Sequence, residues 1–169
     1  MTILHFLRPD DGEKAMNIYR RYSSWILFAL ILIVVVSWAP RGHADAPSGR
    51  YTITTDTVYD TKTLLTWQRV PDAAAHAWSS AQMYCLGLNL GGMTGWRLPS
   101  LKELQTIVDE QRKLPALDTS AFTTGQYAIW TSSEVAGTSA TQAWIVNFSY
   151  GDSQRTNVST AMHYARCVR

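Results

Sequence analysis

Apolar positions fall into one long run and a series of short periodic pieces. The run is Trp25 to Ala39, 15 residues with no charge. After it the pattern changes period several times. Tyr51-Thr-Ile-Thr-Thr, Val58-Tyr59 and Leu64-Leu65-Thr66-Trp67 are rich in β-formers, with Asp60-Thr61-Lys62-Thr63 as a polar turn, which predicts a β-hairpin over 51–67. Trp78, Ala81, Cys85 and Leu88 recur at helical spacing and predict a helix near 77–89, ended by Gly91-Gly92. Ser100 and Glu103 form a capping-box pattern ahead of Leu101, Leu104, Ile107 and Val108, predicting a second helix near 100–110. Strands are expected at 127–131 and 143–148, with a turn at 150–153. A closing strand at 163–168 would carry His163, Ala165 and Cys167 on one face and pair with the hairpin. Elements segregated in this order indicate an α+β domain, with two helices packed on a small twisted, mostly antiparallel sheet.

The long run has a different meaning. Arg20 and Arg21 precede it, and the small-x-small site Gly42-His43-Ala44 follows it, the pattern of a secretory signal peptide. As a helix it would span about 22 Å, short of the roughly 30 Å hydrocarbon core. Residues 1–44 are therefore expected to be a signal peptide, 45–49 a short linker and 50–169 the folded domain. An uncleaved inner-membrane anchor is the alternative, and would be the chain's one membrane attachment. The acidic cluster Asp10, Asp11, Glu13 is out of place in an export signal and points to a true start at Met16.

Composition sharpens this. The chain has 169 residues, 46% apolar and 17% charged, too apolar for a disordered chain. The net charge of +2 belongs largely to the signal segment. From residue 45 onward, ten Lys and Arg face ten Asp and Glu, leaving zero. Net charge thus gives no support for nucleic-acid binding.

The only two cysteines are Cys85 and Cys167. In an exported chain such a pair reads as a structural disulfide, worth roughly 4 kcal/mol for a loop of about 80 residues. There is no Cys-x-x-Cys, and His76 and His163 sit at no metal-ligand spacing, so no metal or cofactor is expected. Trp67, Trp78, Trp96, Trp130 and Trp144 could stack on sugar rings, but tryptophans within regular elements belong more often to a core. Arg97 is either an anion ligand or a buried guanidinium that pairs with Glu103 or caps strand carbonyls. His163, on the Cys167 face, reads as a satisfied core histidine. Tyr150, Asp152, Arg155 and Asn157 lie where a loop is expected before the last strand, and loops carry binding disproportionately. They are the candidate ligand-binding residues, although each could equally be an ordinary loop residue.

Several blocks occur together in one order: Trp67-Gln68, Trp78-x-x-Ala81-x-x-x-Cys85, Gly95-Trp-Arg-Leu-Pro-Ser100-x-x-Glu103-Leu104, Trp130-Thr-Ser-Ser133, Ala143-Trp-x-Val146-x-Phe148 and Arg166-Cys-Val-Arg169. This resembles the Lcl C-terminal domain family, named after the C-terminal domain of a bacterial collagen-like adhesin. The resemblance implies an exported domain with a C-type-lectin-like fold, in which a disulfide joins the first helix to the final strand. Because that adhesin binds sulfated glycosaminoglycans, it also implies a glycan or polyanionic envelope polysaccharide as ligand. No nucleophile–base signature, phosphate loop or calcium-lectin motif is visible, so the expected class is a non-enzymatic binding or adhesion module. Alternatives are a structural cell-envelope component with a protein partner and, last, an unrecognised enzyme.

Overall fold

The computed structural model describes residues 47–123 and 128–169. The expectations for the signal segment, its anchor alternative and the Met16 start lie outside the described residues.

The first sheet is an antiparallel meander of β1 (Tyr51–Ile53), β2 (Thr57–Asp60) and β3 (Leu65–Gln68). The expected hairpin is β2–β3, closed where Asp60 Oδ1 accepts from Lys62 N–H at 2.9 Å and Leu64 takes a left-handed φ of 60°. A third strand arises because the Thr54 hydroxyl accepts from Thr57 N–H at 2.9 Å, turning the chain early.

Helix α1 (Trp78–Gly87) buries Ala81 and Cys85, as the apolar spacing predicts. Helix α2 (Leu101–Gln105) starts at the predicted capping box, with Ser100 Oγ accepting from Glu103 N–H and Glu103 accepting from Ser100 N–H. It stops five residues short of the expected end at 110. Thr106 Oγ1 donates to Glu103 O at 2.7 Å, Val108 N–H reaches back only to Gln105 O, and Val108 then pairs with Leu117. The chain is drawn out of the helix while Ile107 still reaches the core.

The second sheet, β4 (Ala128–Glu134), β5 (Gln142–Asn147) and β6 (Asp152–Asn157), is again antiparallel in sequence order. It lies between two cores. Ile129 and Val146 pack with Val58, Trp67, Leu104 and Phe122 on one side. Trp130, Ala143 and Ile145 pack with Ala81, Cys85, Trp96 and Leu98 on the other. An α+β domain with few helices and two small antiparallel sheets is what the structure shows.

The expected closing strand at 163–168 is not a continuous strand. His163 bridges His76, Tyr164 lies parallel to Ile129, and Val168 bridges both Trp67 and Arg97. A segment that changes neighbours this often builds no regular ladder. It does close the first sheet, through Thr66 N–H to Arg169 O and Gln68 N–H to Cys167 O, each 2.9 Å. Its alternation sorts side chains between the cores: Ala165 and Cys167 enter one, Val168 the other.

Between them Arg166 is 2% exposed. Its guanidinium donates to Gln68 O (3.0 Å), Arg69 O (2.8 Å) and Thr123 O (3.0 Å), and lies over the Phe122 ring. Burial pulls its pKa down to about 9, which leaves it charged at neutral pH. Next to it Cys167 is bonded to Cys85, with Cα atoms 5.5 Å apart and a sequence separation of 82.

A loop of that length leads to a direct expectation. The double substitution Cys85→Ser, Cys167→Ser should lower unfolding free energy by about 4 kcal/mol in the chain-entropy account. Urea unfolding of the two forms checks this, and alkylation of the unreduced wild type should label neither cysteine.

Candidate functional site

The residues proposed for binding come together only in part. Arg155 and Asn157 were expected in a loop, but both lie on β6, as does Asp152. The strand was hidden because Asp-Ser-Gln-Arg-Thr-Asn has no apolar position to set a period. Its register comes entirely from β5: Trp144 faces Arg155, Gln142 faces Asn157 and Asn147 faces Asp152. Since side chains alternate across a strand, Ser153, Arg155 and Asn157 share one face with Gln142, Trp144 and Val146. Asp152 projects to the opposite face with Gln154, whose amide it accepts from at 2.6 Å. Helix α2 sits beside the Arg155 face, where Gln105 Nε2 donates to Ser153 Oγ at 3.0 Å.

Trp144 changes its assignment. Trp67, Trp96 and Trp130 are core, at 1% exposure or less. Trp78 is half-buried and donates its indole N–H to Thr131 O at 2.7 Å. Trp144 is also half-buried, directly across from Arg155. Among the described residues Arg155 has no ion pair and no side-chain hydrogen bond, so an exposed cation and a partly buried indole hold opposite positions on one face of the sheet. Both faces of β5 carry apolar residues, so alternation alone gave no sign that this tryptophan lies outside the core.

Asn157 holds the chain beyond β6. Its Oδ1 accepts from Ser159 N–H, Ser159 Oγ and Thr160 N–H at 2.8–3.2 Å, leaving its amide NH₂ as the group free to donate outward. Tyr150 is 66% exposed at the β5–β6 turn. That turn is docked rather than loose. Leu114 N–H donates to Ser149 O (2.8 Å) and Ala116 N–H to Phe148 O (2.7 Å). Gly151 has φ +82°, and a Cβ there would lie 2.8 Å from Val108 Cγ1 and 3.3 Å from Ala116 Cβ. Leu114, 59% exposed, lies on the strap that holds the Tyr150 turn.

Arg97 is not placed as a free anion ligand. Its two terminal nitrogens grip Glu103 at 2.8 and 2.7 Å, a bidentate pair that also orients the capping box. Pairing with Glu103 is one of the two readings made from the sequence. The guanidinium, however, stays about half exposed rather than buried. Arg97 holds the Glu103 carboxyl down to about 2, helped by the Ser100 N–H and opposed by burial. His163 is half-buried edge-on against Trp130, its Nε2 buried with no partner among the described residues, and burial lowers its pKa. Among the described residues no group of three or more His, Cys, Asp or Glu could hold a metal ion.

The model of the Lcl C-terminal domain family matches residues 56–169, so the chain belongs to that family. No curated protein matches the chain.

Two expectations follow from this geometry. Glu103 is depressed from 4.5 to about 2, so its contribution is complete above about pH 4.5 and lost as pH falls through 2. Glu103→Gln should therefore cost about 1 kcal/mol at pH 7, discounted for solvent screening, and nothing near pH 2. Urea unfolding of both forms across that range measures it. Gly151→Ala should destabilise by about 1–3 kcal/mol through strain and overpacking, and should shift the amide resonances of 108–116 along with those of the turn.

Proposed function

We propose that this chain is an exported, non-enzymatic binding module of C-type-lectin-like architecture that recognises a glycan through the face of β6. The observation that carries the reading is the placement of Arg155, without an anion of its own among the described residues, across from the partly buried indole of Trp144. A flat aromatic surface stacks on a sugar ring, and a neighbouring guanidinium offers a planar fork of donors to a carboxylate or sulfate on it. Tyr150 at the docked turn and the Asn157 amide extend the surface along the strand. The two cores that flank the second sheet hold the backbone of β5 and β6 in place before a ligand arrives, so the exposed side chains are the main part left to order on binding. Family membership supports a role at the cell surface in adhesion. The net charge of zero from residue 45 onward means that attraction for an anionic polymer must come from this local cluster.

A second reading has its own observation. Among the described residues no strand pairs with the far edge of β6, so its outward N–H and C=O groups are open to an added strand from a protein partner. The structural envelope role follows from that edge.

Titration against sulfated and neutral glycans at two salt concentrations distinguishes them. Sulfated glycans should bind more tightly, with affinity falling as salt screens the contact over about 8 Å. Arg155→Ala should weaken that binding about tenfold and flatten the salt dependence. Trp144→Ala and Tyr150→Ala should weaken neutral and sulfated ligands alike. Absence of binding to every glycan, with co-purification of an envelope protein, would favour the strand-edge reading.

A further inference from the structure

A separate depression of about 180 Å³ opens between β1 and the 118–121 turn, lined among others by Ser48, Arg50, Tyr51, Asp118 and Ser120. It is smaller than the 300–1,000 Å³ of drug-sized pockets and has room for one side chain or one sugar residue. Its polar groups are unevenly satisfied. Arg50 is neutralised: its Nε and Nη2 meet the two Asp60 oxygens at 3.2 and 2.8 Å, and Nη2 also donates to Thr106 O at 2.7 Å. The same guanidinium covers the Tyr51 ring, 4.7 Å from its centroid. Asp118 is 7% exposed, and its Oδ1 accepts from Ser120 N–H (2.9 Å) and Ser120 Oγ (2.6 Å). Among the described residues its Oδ2 accepts no hydrogen bond, and neither does the Tyr51 hydroxyl. Burial raises the Tyr51 pKa, so that hydroxyl stays neutral.

The site thus holds one positive charge and two negative ones. Asp118 Oδ2 has no donor among the described residues and is not sealed from solvent, so an incoming donor can reach it; as a carboxylate oxygen it is the strongest acceptor in the depression. We propose that this depression binds a primary ammonium group, such as that of an amino sugar or a lysine side chain. Asp118 Oδ2 takes the charge, and the Tyr51 hydroxyl accepts a second N–H. The residues are distinct from those of the β6 face, and neither site depends on the other.

The test is chemical-shift titration of the ¹⁵N-labelled protein with glucosamine, propylamine and glucose. Glucosamine and propylamine should give saturable shifts at 48–51 and 118–121, and glucose should not. Stronger response to glucosamine identifies the amino sugar as the source, and equal response identifies the bare amine. Asp118→Asn keeps the Oδ1 acceptor and the turn, and should weaken binding about tenfold; Tyr51→Phe should weaken it about threefold. Glucose binding as well as glucosamine would overturn the proposal. So would no saturable shift in these segments, or unchanged affinity in both variants. Shifts confined to 142–157 would place the amine on the β6 face and overturn this site alone.

Discussion

A guanidinium taken fully out of water costs several kcal/mol unless its N–H groups find acceptors. Arg166 has no carboxylate beside it among the described residues; three backbone carbonyls and the face of Phe122 take that place. Those carbonyls belong to the end of β3 and to the segment after the 118–121 turn. One side chain therefore reinforces a join that Thr123 N–H to Arg69 O and Arg69 Nε to Ala121 O, each 3.2 Å, also make. Only a planar fork can reach carbonyls of both stretches at once, so lysine is no substitute here. The neighbours of Arg166 extend the constraint. Cys167 is tied to α1, Val168 to Trp67 and Arg97 together, and Arg169 to Thr66. Four consecutive residues hold four different parts of the domain.

What the sequence revealed follows from which patterns have one cause. The disulfide was legible because two cysteines admit one pairing. Helix α1 was legible because Trp78, Ala81 and Cys85 meet a core on a single face. The start of α2 was legible from Ser100 and Glu103, whose reciprocal bonds need nothing beyond themselves. Its end was not, since Ile107 and Val108 satisfy a helical period while a distant partner, Leu117, draws the backbone out of it. Strand β6 carries no pattern of its own and exists because β5 offers a ladder. The same holds at the candidate site. Arg155, Tyr150 and Asn157 were chosen as polar loop residues, yet three of the four candidates are strand residues, and Asp152 points away from the rest. Trp144 could not be told from the core tryptophans, because a strand covered on both faces reads as uniformly apolar.

The candidate surface and the fold share their supports. The Tyr150 turn leans on 108–116 through Gly151, and Gln105 of α2 touches the Arg155 face through Ser153. Helix α2 is in turn held by Arg97 through Glu103, and Arg97 is bridged to Val168. A continuous chain of contacts thus runs from the buried segment around Arg166 to the exposed strand. It rests on packed side chains and backbone bonds, so the backbone of the exposed strand is supported from the core beneath it.

The segment that holds the domain together has a consequence for the order of events in synthesis. Arg166 bonds to the carbonyl of Gln68 across 98 positions, and Cys85 waits for Cys167 across 82. At ribosomal speeds of about 5–20 residues per second, the first sheet and α1 exist as chain for several seconds before their clamp is made. During that interval the edge of β3 and the indole of Trp67 have no cover from Cys167, Val168 and Arg169. Early elements can form and dissolve, but they lack this clamp until residues 166–169 have been added. Contacts of such long range are formed late and slowly. The bonds that join the first sheet, α1 and the Arg97 segment to residues 166–169 are therefore made only after those four residues have been added.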